Sequence, residues 1–223
     1  MVTIYLDAAS LADIEKYGHL VEGITTNPSL MKKEGITDYH HFGKAVVALA
    51  AGKPVSFEVL SEDPREASDQ ARQIAAWGPN IFVKVPIINT QGQVQADLIS
   101  DLSYGGLKLN VTAILTREHA RAAAEALEGG GHILSVFAGR ISDAGYSPLP
   151  TMNYARSKCR MDTKLLWAST REIYNVVQAE NCADIITLAP ALLDKLPKLE
   201  GDLNAVALDT VKQFYNDAKG ITL

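Results

Sequence analysis

Lys84 is the side chain whose neighbours best suit it to bond covalently with a substrate. It interrupts the run Ile81-Phe82-Val83-Lys84-Val85-Pro86-Ile87-Ile88, in which every other side chain is apolar. Burying an ammonium ion is costly, so a lysine in such a run tends to shed its proton, and the exposed lone pair can attack a carbonyl. The resulting iminium withdraws electrons and lets an adjacent carbon–carbon bond break or form. The plain alternative is a lysine at a strand end whose ammonium reaches water or a carboxylate, which is the commoner use of the residue.

Chemistry of this kind also needs proton carriers and groups that hold a polar substrate. Asp7 and Glu58 each close an apolar run and suit proton transfer, although helix capping, pairing with lysine and simple exposure are the ordinary uses of such residues. Thr25, Asn27, Asn110, Thr112 and Ser135 can hydrogen-bond several hydroxyl groups, as a polyol demands. Each is equally at home in a turn or cap, Asn27 before Pro28 above all. Arg140 and Ser169-Thr170-Arg171 form a candidate anion site. Ser169 is expected where a strand gives way to a helix start, and two guanidinium groups would add charge-assisted hydrogen bonds. A capped helix with two surface arginines is the alternative reading.

Other chemistries lack a signature. No Gly-x-x-x-x-Gly-Lys loop, His-Glu-x-x-His pair or Cys-x-x-Cys pair occurs, so no metal and no cofactor is expected. His40-His41 reads as a solvated helix start. Gly129-Gly130-Gly131 precedes a strand instead of following one, unlike a dinucleotide loop.

The elements that must position these residues alternate along the chain. Strand-like runs fall at residues 3–7, 54–58, 80–85, 106–111, 132–137, 164–169 and 184–188, and residues 23–28 supply a further short strand and a loop. Amphipathic or alanine-rich stretches at 11–17, 39–51, 63–77, 117–127 and 169–180 lie between them and suit outer helices. Eight runs in 223 residues (223/8, about 28 each) fit one strand and one helix per unit. The expected fold is α/β, an eight-stranded (β/α)8 TIM barrel, whose reactive groups gather at the strand C-termini. Gly52, Gly78 and Gly129–Gly131 are expected to end helices in the left-handed conformation. Residues 142–158, with Gly145, Pro148 and Pro150, are expected to loop over one barrel end. Residues 202–216 read as a last amphipathic helix with Asp202 as its N-cap. No linker or low-complexity segment divides residues 1–223, so one domain is expected.

Composition narrows the partners. The chain has 21 basic and 26 acidic side chains, a net charge of −5, and 47% hydrophobic residues, so it should fold into a globule. That balance argues against a broad nucleic-acid or membrane surface, both of which need a clustered positive field. No cationic-then-apolar leader precedes Tyr5, no apolar run approaches the roughly 18 residues of a membrane span, and only two cysteines, Cys159 and Cys182, occur. A cytoplasmic chain with reduced thiols is expected.

In chain order, the segments Tyr5-Leu6-Asp7, Gly23-Ile24-Thr25-Thr26-Asn27-Pro28-Ser29-Leu30, Phe57-Glu58, Val83-Lys84-Val85-Pro86, Leu109-Asn110-Val111-Thr112, Ser135-Val136-Phe137-Ala138-Gly139-Arg140 and Ala168-Ser169-Thr170-Arg171 together resemble the transaldolase family. The likeness runs from residue 5 to about 190, and the length is similar to the family's short branch, which includes fructose-6-phosphate aldolase. The resemblance implies a barrel with Lys84 as the Schiff-base lysine of the fourth strand. It implies Asp7 as the proton carrier at the cleaved carbinol, and Glu58 acting through a held water as the imine forms and resolves. Thr25, Asn27, Asn110 and Ser135 would bind a dihydroxyacetone unit, Thr112 would line the water site, and Arg140, Ser169 and Arg171 would bind phosphate.

Glu58 and Phe137 resemble transaldolases, whereas the aldolase subgroup tends to carry Gln and Tyr there, so transfer between sugar phosphates is expected over release of free dihydroxyacetone. A non-catalytic sugar-phosphate-binding barrel is the alternative of another class. Ala8, Ala9, Thr170 and the 142–158 segment depart from the family pattern and bear on the acceptor. The short branch also implies a homo-oligomer assembled through the C-terminal helix, with Val206, Leu208, Val211, Phe214 and Tyr215 supplying apolar contacts.

Overall fold

Short Val-, Ile- and Leu-rich runs, flanked by stretches that can form helices with one apolar face, become parallel strands because each needs a helical crossover to return to the same edge. The computed structural model describes residues 1–160 and 162–222. Its strands are β1 (Thr3–Asp7), β2 (Gly23–Thr25), β3 (Val55–Glu58), β4 (Ile81–Pro86), β5 (Leu109–Ile114), β6 (Ile133–Val136), β7 (Lys164–Trp167) and β8 (Ile185–Leu188). They pair in parallel in chain order, and β8 returns to β1 to close the expected barrel. Helices surround it: α1 (Leu11–Tyr17), α2 (Pro28–Lys33), α3 (Tyr39–Ala50), α4 (Pro64–Ala75), α5 (Ala96–Tyr104), α6 (Arg117–Ala126), α7 (Ala138–Asp143), α8 (Leu149–Lys158), α9 (Asn175–Glu180), α10 (Pro190–Leu193) and α11 (Leu203–Asp217). Among the described residues, no helix is long and apolar enough to cross a membrane.

Strand register sets the height of each reactive side chain. Asp7 stands opposite Thr25, Glu58 opposite Lys84, and Lys84 opposite Asn110. Because successive side chains alternate faces, these residues share the inner face near the strand C-termini. Deeper in the barrel, Tyr5, Ile133, Leu166 and Ile185 form a buried apolar cluster against which Phe82 packs. Gly23 is needed there, since a Cβ would lie 2.5 Å from the Tyr5 ring. A separate, larger cluster joins the outward strand faces, such as Leu6, Phe57, Val83 and Trp167, to the helices. His132 is buried beneath β5: its Nδ1 accepts from the Leu109 N–H at 3.2 Å while its Nε2 lies 2.8 Å from the Glu128 carbonyl, an arrangement that selects the Nε2–H tautomer.

Several expectations are corrected. Residues 142–158 do not form one loop: they end α7 and then make α8. Pro148 and Pro150 fall at the start of α8, where a missing N–H leaves no bond unmade, and Thr151, Met152 and Ala155 are buried on its inner face. The helix expected from residue 169 begins only at Asn175. Gly52, Gly129 and Gly131 have positive φ, but Gly78 and Gly130 do not; a Cβ on Gly78 would press on Asn80 at 2.8 Å and one on Gly130 would overlap the Asp162 carboxylate, so their reason is space. The fifth strand begins three residues later than the 106–111 expectation, because Gly106, at φ 85°, still belongs to the turn closing α5.

Helix α11 is capped by Asp202, as expected, but none of its residues is buried. Leu203, Val206, Leu208, Val211, Phe214 and Tyr215 are all exposed.

Candidate active site

At the C-terminal end of the barrel opens a cavity of about 390 Å³. Every residue singled out from the sequence lines it: Asp7, Thr25, Asn27, Glu58, Lys84, Asn110, Thr112, Ser135, Phe137, Arg140, Ser169 and Arg171. Residues far apart in the chain converge because each lies on a barrel strand or in the segment that follows one.

Lys84 is buried, with 6% of its surface exposed, as its apolar strand implies. It is not isolated: the alternative in which a strand lysine reaches a carboxylate is the arrangement found. Its Nζ lies 3.0 Å from Glu58 Oε2 on the neighbouring strand and donates to the Thr26 carbonyl at 2.8 Å. The Glu58 side chain keeps 16% exposure and so faces both the amine and the cavity. A proton can therefore pass between partners already in contact.

Asp7 sits beside this pair. Burial pushes its carboxyl above the usual carboxylate range, the Lys84 charge and hydrogen bonds from Thr25 and Asn27 partly counter that, and the Glu58 charge adds to the rise. Thr25 donates to Asp7 Oδ1 at 3.0 Å. Asn27 does two jobs, since its Oδ1 caps α2 by accepting from the Leu30 N–H at 3.0 Å while its Nδ2 points at Asp7 from 3.5 Å. On the other side, Ser135 donates to Asn110 Oδ1 at 2.6 Å and Asn110 donates to Ser56 Oγ at 3.1 Å, which fixes the amide. The Thr112 hydroxyl is buried in the cavity wall with no hydrogen-bond partner among the described residues, leaving it free for water or a substrate hydroxyl.

The rim is basic. Arg140 lies with its guanidinium carbon 5.4 Å from the Phe137 ring centre, and Arg171 is held by Asp143 through Nε at 2.9 Å and NH2 at 2.6 Å. Ser169 lines the cavity between them but opens no helix: it adopts φ 62°, and its carbonyl is aimed at Gly139. A Cβ on Gly139 would overlap that carbonyl oxygen and touch Arg171. Gly139→Ala is therefore expected to cost roughly 1–3 kcal/mol and to displace the Ser169–Arg171 turn, seen as a lower melting temperature. An unchanged melting temperature would contradict the tight packing of this turn.

Sequence reading missed Thr187, a buried hydroxyl on β8 that also lines the cavity, and Ser56 behind Asn110. The signal for Thr187 was a single hydroxyl inside the apolar run Ile185-Ile186-Thr187-Leu188.

The family model described as Transaldolase/Fructose-6-phosphate aldolase matches residues 4–222. The chain belongs to this family. A "Probable transaldolase" of Dehalococcoides mccartyi is 36% identical over 192 residues, covering 84% of this chain and 86% of that one. A "Probable transaldolase" of Nitrosopumilus maritimus is 32% identical over 223 residues, covering 97% and 96%. Among solved structures, the tryptophan synthase A-subunit of Pyrococcus furiosus matches with a TM-score of 0.60 at 12% identity over 88% of this chain and 90% of that chain, a likeness of fold alone. In this transaldolase/aldolase-family barrel, the cavity residues thus come from strands whose order and register are now known.

Proposed function

We propose that this chain is a transaldolase that carries a dihydroxyacetone unit between sugar phosphates through an imine on Lys84. The observation that carries this reading is the buried Lys84 amine, 3.0 Å from Glu58 on the cavity wall. Glu58 takes one proton from the ammonium, the freed lone pair attacks the ketose carbonyl carbon, and loss of water leaves an iminium. The Asp7 carboxylate removes the proton of the hydroxyl next to the bond that breaks, the aldose phosphate departs, and the electron pair of that bond moves into a three-carbon enamine on Lys84. An acceptor aldehyde reverses these steps, and water, held between Glu58 and Thr112, hydrolyses the final imine.

Asn110, Ser135, Thr25 and Asn27 bind the hydroxyls of the three-carbon unit, and Arg140, Ser169 and Arg171 bind the phosphate. Phe137 brings no hydroxyl that could help water release the enamine, which favours transfer. Borohydride reduction with fructose 6-phosphate should add a three-carbon adduct at Lys84 alone; an unmodified Lys84 overturns the reading. Free dihydroxyacetone formed faster than transfer to an aldose phosphate would move it to an aldolase.

We also propose that α11 packs on a second copy of the chain, because its apolar side chains have no cover in their own protomer. Mass measured in solution should be a multiple of 24.1 kDa, and Phe214→Glu should reduce it. A 24.1 kDa species at micromolar concentration contradicts this. Cys159 and Cys182 are free thiols, in keeping with a reducing, cytoplasmic setting.

A further inference from the structure

Thr187 belongs to none of the roles above, yet it is buried in the cavity wall with its hydroxyl 2.6 Å from that of Thr25. The direction of this bond follows from counting protons. Thr25 has one, and its candidate acceptors include Asp7 Oδ1 at 3.0 Å and the Leu6 carbonyl at a poorer 3.5 Å. A carboxylate is the stronger acceptor, so the Thr25 proton goes to Asp7 and Thr187 must be the donor to Thr25. The backbone beneath Thr187 is held in turn: Thr170 donates to the Thr187 carbonyl at 2.8 Å.

We infer that Thr187 is a positioning residue for Asp7, orienting the Thr25 hydroxyl so that a two-step hydrogen-bond chain ends on the carboxylate. The inference rests on the proton-transfer role proposed for Asp7. Donation from Thr187 polarises the Thr25 O–H, and a polarised donor favours the ionised acid over the neutral one. Lys84 on β4 and Glu58 on β3 are the charged groups facing Asp7, and a change at Thr187 leaves both in place. With valine at 187 the shape is kept and the chain loses its first donor, so Thr25 can turn its proton elsewhere. Fewer Asp7 side chains are then ionised at a given pH, and the acid limb of activity moves to higher pH.

The test compares wild type, Thr187→Val, Thr187→Ser and Asp7→Asn in kcat, KM and pH profile, with borohydride trapping by fructose 6-phosphate and thermal melts on each. Thr187→Val should lower kcat roughly tenfold, leave the donor KM within about twofold, and raise the acid limb of kcat/KM by roughly half a pH unit or more. Thr187→Ser should restore both, and Asp7→Asn should lack that limb. The melting temperature of Thr187→Val should match wild type, since valine suits a buried strand. A Thr187→Val profile identical to wild type, or a serine variant as impaired as the valine one, overturns the inference while trapping at Lys84 keeps the imine reading. Absence of trapping in wild type overturns both.

Discussion

Lys84→Met is expected to lower kcat/KM for ketose cleavage and transfer by roughly four orders of magnitude or more, because no other cavity residue among those described offers an amine. The thioether fills much of the same volume, and Glu58, left without its cation, still faces the cavity with 16% of its side chain exposed. The fold should therefore survive, with a melting temperature close to wild type. Lys84→Arg separates charge from nucleophilicity, since a guanidinium keeps the pairing with Glu58 but remains protonated and cannot attack a carbonyl. Both variants should lose activity and borohydride labelling together. An arginine variant retaining more than about a hundredth of wild-type activity would assign Lys84 an electrostatic task in place of a covalent one.

Asp7→Asn is expected to move activity and stability in opposite directions. Loss of the proton carrier proposed above should reduce kcat by roughly 10²- to 10⁴-fold. Stability at neutral pH should rise, because burial is the main reason the Asp7 carboxyl titrates above its usual range and asparagine carries no charge to desolvate. The sign follows from proton binding. The folded protein holds the Asp7 proton more tightly than the unfolded chain does, so the cost of the charge is fully present above the raised value. It fades as pH falls through that value and is gone below the unfolded value. The advantage of Asp7→Asn in thermal melts should thus be largest near neutral pH and shrink on acidification. An equal or lower melting temperature near pH 7 would contradict the buried-charge account.

Much of the barrel was legible because parallel strands buried on both faces are short and apolar, so a polar side chain at their ends stands out. Lys84, Glu58, Asp7 and Asn110 were found that way, and the register sets Glu58, Lys84 and Asn110 side by side. What was missed lay where tertiary contacts outweigh local signals. Ser169-Thr170-Arg171 reads as a helix start, yet close packing against Gly139 accompanies the turn of Ser169 into the left-handed region. The Asn175 side chain instead accepts from the N–H groups of Arg171 and Glu172, at 3.0 and 3.2 Å. Thr187 escaped notice because it stands one residue inside its strand, behind Leu188. Pairing of Lys84 with a carboxylate was open from the sequence, but the choice of Glu58 over Asp7 depends on the register of two strands joined by a whole helix. Residues 142–158 were misread because two prolines look like a break, whereas at a helix start they fit.

The packed floor of Tyr5, Ile133, Leu166 and Ile185 gives the reaction a timetable. With the far end stoppered, traffic uses one doorway, and under the proposed transfer the severed aldose must leave by it before another can enter. Initial-rate plots at several fixed levels of the second sugar should therefore run parallel, the mark of a fragment waiting on the protein between two visitors.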